Sequence, residues 1–211
     1  MRIAIIGTGN VGSVLGRRLA EKGHDITFVS RSKASDRAKE LVRLPGVKGV
    51  VSHLNQLDSP APVVVYAGPY DHAERFFEEA GDLANAIVVD CTNPLNASFN
   101  GLQLGHTDSA GERIATWATN ARVVKAFNTT SVATMTDPTY GEHTATQFYC
   151  GDDSDAKQVV ASLISDLGME PVDAGPLSNA RYLEATAMLY IHLAVQGGWG
   201  GNCALKMLRR S

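Results

Sequence analysis

The chain is sparing in several residue types, and each shortage excludes something. It has 3 cysteines among 211 residues, Cys91, Cys150 and Cys203, far apart and without a Cys-x-x-Cys. That spacing argues against a disulfide framework or a zinc site and fits a reducing cytoplasm. Charged residues make up 19% and the formal net charge is −3, which gives no hint of nucleic acid, where a basic face would be expected. The longest late apolar stretch, 185–195, is too short to span a bilayer and has His192 inside it, so no membrane partner is expected. The N-terminus runs directly into a glycine turn and carries no signal-peptide pattern. There is no G-x-S-x-G elbow, no His-Glu-x-x-His and no cysteine–histidine motif. The acidic run Gly151-Asp152-Asp153-Ser154-Asp155 lacks the later glycine and glutamate of an EF-hand, so no metal is expected; acids there suit the positive end of the helix that follows.

What is present is a strand–helix alternation. Strands are expected at 2–6, 25–29, 62–67, 86–91, 122–127, 147–150 and 170–174. Several are continuous apolar runs, as in a sheet buried on both faces. Helices are expected at 10–22, from a capping box at Asp71…Glu74 through Ala80, from a second box at Ser109…Glu112 to about Thr119, at 154–167 and at 177–196. Residues 93–108 read as a loop, and a short last helix is expected after the break Gly197-Gly198-Trp199-Gly200-Gly201. The pattern implies an α/β fold, a Rossmann-type doubly wound parallel sheet. Residues 1–176 would form the nucleotide domain, and 177–211 a small helical C-terminal part.

Gly7-Thr8-Gly9-Asn10-Val11-Gly12 fits G-x-G-x-x-G between a strand and a helix, the context that makes this motif informative. Gly7 would make the tight turn, Gly9 would admit a pyrophosphate, and Gly12 would let helix and strand close. A site for NAD places an acid at the end of the second strand. This chain has Ser30-Arg31-Ser32-Lys33 there, and Arg37 a turn later. Arginine can clamp a 2′-phosphate bidentately and serine can donate to it, so the expected cofactor is NADP. The carboxyl ends of later strands complete the cleft: Ala67-Gly68-Pro69, small enough to lie under the nicotinamide; Asn93; and Ala126 with Asn128.

No catalytic side chain is assigned. His192 reads as a core histidine, and Glu184 as either a pocket residue or part of a solvated face. Hydride exchange between two ring cofactors needs alignment more than acid–base groups, whereas oxidation of an alcohol needs a proton acceptor. The absence therefore favours transfer to a second ring. An NADP-dependent dehydrogenase of a small substrate and an NADP-binding sensor without turnover are the alternatives.

The chain resembles the NADPH-dependent coenzyme F420 reductase family (F420H2:NADP oxidoreductases). The resemblance is carried by residues 7–12, the Ser30-Arg31-Ser32 turn, Cys150-Gly151-Asp152-Asp153 and above all 173–181 (DAGPLSNAR). It implies a Rossmann domain with a small helical C-terminal part, a dimer, and direct hydride transfer between NADPH and a deazaflavin. It assigns the 2′-phosphate to Ser30 and Arg31 and the pyrophosphate to Thr8, Asn10 and Val11. In Val124-Lys125-Ala126-Phe127-Asn128-Thr129, Asn128 stands where archaeal deazaflavin enzymes carry a histidine. That segment is more similar to the oxidoreductase domain of the STEAP ferric reductases, which pass hydride from NADPH to a flavin. Coenzyme F420, FMN and FAD are all implied acceptors. Trp199 in its glycine break could close over the acceptor ring or simply turn the chain.

Overall fold

The computed structural model describes residues 1–32 and 34–210; Lys33 and Ser211 lie outside them. The elements run β1 (Arg2–Ile6), α1 (Asn10–Glu21), β2 (Asp25–Val29), α2 (Asp36–Val42), β3 (Val47–Val51), β4 (Val63–Tyr66), α3 (Ala73–Ala80), β5 (Ile87–Asp90), α4 (Ala110–Trp117) and β6 (Arg122–Ala126). They continue with α5 (Val132–Thr136), the hairpin β7 (Thr139–Tyr140) and β8 (His143–Thr144), β9 (Thr146–Gly151), α6 (Ser154–Asp166), β10 (Glu170–Asp173) and α7 (Ala180–Val195). Eight strands form one sheet in the order β10-β9-β6-β5-β4-β1-β2-β3. The strand order reverses between β1 and β4, and the crevice at such a reversal is where α/β sheets bind ligands.

β4 and β5 are buried at every residue because helices cover both faces. One core lies on the α1 and α6 side, around Ile5, Leu15, Phe28 and Leu163. The other lies on the α3 and α4 side, around Val64, Tyr66, Phe77 and Ile114. Ser109 caps α4 by accepting from the Glu112 amide, and Asp153 caps α6 by accepting from the Ala156 amide.

Five features depart from the sequence expectation. First, the sheet is not wholly parallel: β9 runs antiparallel to β6 and carries β10 with it. Between β6 and β9 the chain makes a five-residue helix and a hairpin before β9 runs back beside β6. Second, α2 and β3 appear where no element was read. Ser35 caps α2, which buries only Ala38 and Leu41, and β3 is an edge strand interrupted by Gly49. Third, Asp71 does not cap a helix. Residues Tyr70–His72 form a 3-10 turn, and Asp71 instead accepts from Gln103 Nε2. Fourth, no helix follows the glycine break. The tail is extended along the start of β9: Leu205 O accepts from Thr146 N, and Met207 N donates to Thr146 Oγ1. β6 ends before this part of β9, so the tail takes up hydrogen bonds left open there. Fifth, His192 is not a core residue but is exposed near the end of α7.

Candidate functional site

The glycine turn is built by close approaches. Gly7 has φ +101°, and a Cβ there would come within 3.1 Å of Ala67 O on the neighbouring strand end. At Gly12 a Cβ would lie 2.2 Å from Gly7 O, so the helix can begin this near the strand only without a side chain. At Gly9 a Cβ would meet nothing within 4 Å, which leaves that side of the turn open. No side chain caps α1 and no acid lies in its first turn, so its N-terminal amides remain available to an anion. Gly12→Ala is expected to weaken NADPH binding by roughly tenfold or more, since overpacking against backbone costs about 1–3 kcal/mol and must move one phosphate wall. A fluorescence titration of NADPH checks this.

A cavity of about 750 Å³ opens beside the turn, at the carboxyl ends of β1, β2 and β4. Gly7, Ser30, Arg31, Ser32, Gly68 and Pro69 line it, so six of the residues chosen from sequence come together around one space. Thr8 Oγ1 lies 3.4 Å from Ser30 Oγ, joining the glycine turn to the serine–arginine turn. Arg37, on α2, donates to Asn10 Oδ1 at 3.0 Å, so it ties that helix to the glycine turn. Val11 packs on the core and could offer only its backbone. Lys33 lies outside the described residues. Tyr66, His53, Asn55, Arg75, Phe76 and Glu79 also line the cavity and were not singled out from sequence. They come from a loop, a strand end and the outer face of a helix, so no short motif marks them. The cavity takes a nucleoside in size, and its rim offers Arg31 and two serines to a phosphate.

A second group forms at the ends of β5 and β6. Asn93 Nδ2 donates to Asn128 O, and Asn128 Nδ2 donates to Asn93 Oδ1, each at 3.0 Å. Phe127 holds the turn in a left-handed conformation with φ +64°, unusual for an aromatic residue and of the kind found where a site dictates the backbone. Ala126 is wholly buried in the sheet, so its side chain is not presented to the cleft. Ala67 is half-buried at the end of β4.

Beneath this group lies a closed set of charges. Lys125 Nζ makes three bonds: to Asp90 Oδ2 at 2.7 Å, to Thr92 O at 2.7 Å and to Glu184 Oε1 at 2.8 Å. Asp90 Oδ1 accepts from Thr92 N, and Glu184 accepts from Ala110 N and Gly111 N at the start of α4. Lys125, Asp90 and Glu184 are all at most 1% exposed. Burial opposes the charge on Lys125, but the two carboxylates outweigh it and hold its pKa above the ordinary lysine value. Burial also raises the Glu184 pKa, with Lys125 pulling the other way. The signal missed in the sequence is a charge at one end of each of two strands that are otherwise buried runs, which demands a partner.

Among the described residues no cluster of histidine, cysteine and carboxylate could hold a metal, and no helix is long and apolar enough to cross a membrane.

Four similarities to known proteins bear on this geometry. The family described as "NADP oxidoreductase coenzyme F420-dependent" matches residues 2–94. Metalloreductase STEAP3 of Rattus norvegicus is 30% identical over 185 residues, covering 87% of this chain and 36% of its own length. The chain therefore spans about a third of that relative. The F420-dependent NADP reductase of Methanothermobacter marburgensis is 27% identical, covering 93% of both chains. The crystal structure of a proposed F420-dependent NADP reductase from Arthrobacter sp. FB24 superposes with a TM-score of 0.86 at 31% identity, over 98% of this chain and 99% of that one.

Proposed function

Since the chain belongs to the family of coenzyme F420-dependent NADP oxidoreductases, we propose that it passes a hydride between NADP(H) and a ring acceptor, either a deazaflavin of the coenzyme F420 type or a flavin such as FMN or FAD. The observation that carries the choice of acceptor is the closed charge set under the β5 and β6 ends. Reducing a carbonyl or imine calls for a side chain that can deliver a proton. Every hydrogen of the Lys125 ammonium and every oxygen of Asp90 and Glu184 already has a partner inside the protein. Asn93, Asn128 and Thr129, at the ends of β5 and β6, form hydrogen bonds but do not titrate.

We assign the pyrophosphate to the turn Gly7-Thr8-Gly9-Asn10-Val11-Gly12 and the 2′-phosphate to Ser30, Arg31 and Ser32, with Arg37 joining them. Lys33 belongs to this assignment on its sequence position alone. Ala67, Gly68 and Pro69 offer a small surface for a flat ring, and Asn93 after β5 and Asn128 after β6, two residues beyond Ala126, fix its edge. When bound, NADPH supplies a hydride to the acceptor; the protein aligns the two rings and keeps water out. In this reading residues 1–176 hold the cofactor and the part from 177 onward supplies the acceptor side. A homodimer contact falls on α7, where Tyr182 and Leu189, seven residues apart and so on one face, are both exposed.

His53 and His72, at the cavity, and His192, on the exposed end of α7, are the histidines to test as proton donors, His53→Gln with the same expectation as the other two. His72→Gln and His192→Gln are each expected to leave the single-turnover rate of NADPH oxidation within about threefold. A loss of roughly a hundredfold or more, the usual size of a general-acid effect, would sink the reading and favour a small-molecule dehydrogenase.

A further inference from the structure

The closed charge set beneath the β5 and β6 ends does not balance. Lys125 brings one positive charge; Asp90 and Glu184 bring two negative ones. Every bond to the two carboxylates comes from a donor. Thr92 N and Lys125 Nζ donate to Asp90, and Ala110 N, Gly111 N and Lys125 Nζ donate to Glu184. A protonated carboxyl would have to donate in its turn, and neither an amide N–H nor an ammonium can accept. Both groups therefore stand as anions, and the set holds one unit of negative charge in excess. All three side chains are at most 1% exposed, so salt and water screen that charge little. The amides at the start of α4 offset part of it and make its burial tolerable.

The sheet register brings this charge to the cleft. Tyr66, Asp90 and Lys125 lie side by side at the ends of β4, β5 and β6. Neighbouring strands are about 4.8 Å apart and Ala67-Gly68-Pro69 follows Tyr66 directly, which puts the excess charge on the order of 10 Å from that segment. The tyrosines on either side of the segment respond to it. Burial is the main cause that raises the Tyr66 pKa, and Asp90 raises it further against the pull of Arg31. Burial also leads at Tyr70, where Arg113 lowers the pKa and Asp108, Glu184 and Asp90 raise it.

We infer that Asp90, Lys125 and Glu184 together bias the redox state of the bound nicotinamide, favouring the cationic ring of NADP+ over the neutral ring of NADPH. This rests on the cofactor reading above, with the ring along Ala67-Gly68-Pro69. When hydride leaves the nicotinamide C4, one hydrogen nucleus and two electrons pass to the deazaflavin or flavin. The nicotinamide gains one positive charge and the acceptor one negative charge. A negative set fixed beside the donor stabilises the charge that develops there and eases release of the hydride. The three side chains act through their field and touch no reacting atom. A unit charge about 10 Å away, at an effective dielectric constant of about 20, changes the affinity for a cation by roughly tenfold.

The test is a calorimetric titration with NADP+, NADPH and 2′-phospho-ADP-ribose, which lacks the ring. Glu184→Gln and Asp90→Asn each remove the excess charge and nearly keep the shape. Each is expected to lower the preference for NADP+ over NADPH by roughly tenfold and to leave the affinity for 2′-phospho-ADP-ribose within about twofold. A preference that moves by less than about twofold, or an equal loss for all three ligands, would overturn the inference and leave the set a purely structural one. Should both variants misfold, the unaltered protein decides. It is expected to bind NADP+ about threefold or more tighter than NADPH; NADPH binding as tightly or tighter would overturn the inference. In each of these cases the cofactor reading survives. Failure of all three ligands to bind the unaltered protein would overturn that reading and this inference together.

Discussion

Lys125→Met is expected to lower the folding stability by about 3–5 kcal/mol, the usual cost of removing one partner from a buried ion pair. The side chain it replaces is fully buried and bonded to Asp90, Glu184 and the Thr92 carbonyl. Methionine fills nearly the same volume, so the loss is electrostatic and not a cavity effect. It leaves two carboxylates in the interior with only backbone amides to hold them. The same change frees the Thr92 carbonyl, and with it the turn that carries Asn93. Denaturant unfolding would show the midpoint falling with the slope unchanged. Adding Asp90→Asn should recover part of the loss, because it removes one of the stranded charges. A loss under about 1 kcal/mol would mean that the three groups do not act as a charge network.

Arg31→Ala is expected to weaken NADPH binding by about ten- to a hundredfold, corresponding to roughly 1.5–3 kcal/mol for a charge-assisted bond. NADH affinity should hardly move, because NADH has no 2′-phosphate for the guanidinium to meet. Arg31 is exposed at the rim of the cavity and packs into no core, so the protein should keep its stability. Fluorescence titration of both nucleotides separates the two effects. An equal loss for NADPH and NADH would mean that Arg31 contacts the part the two share.

The nucleotide half of the site was legible because a few adjacent residues make it. Gly7, Gly9 and Gly12 act through the backbone, and Ser30 to Ser32 follow a strand whose end is easy to find. The cavity's other walls are Tyr66, His53 and Arg75, which reach it from separate elements, and only the fold brings them together. The closed charge set was hidden for a related reason. Lys125 and Asp90 lie in strands read for their apolar neighbours, and Glu184 is 59 residues from Lys125 along the chain. The antiparallel turn of β9 was also out of reach, since an apolar run has the same pattern in either direction. It brings Gln147 beside Thr129. The tail after Gly201 has the composition of a short helix. Its backbone instead pairs with Thr146, a contact that exists only once β6 has ended short of it.

The most direct test of ring-to-ring hydride transfer is to follow nicotinamide absorbance while the protein meets NADPH with coenzyme F420, FMN, FAD, a 2-oxo acid and a cyclic imine in turn, with NADH as control. Rapid NADPH oxidation by one of the three ring acceptors, with little from NADH and none with the oxo acid or the imine, is the predicted result. Turnover with the oxo acid or imine and none with any ring would contradict it.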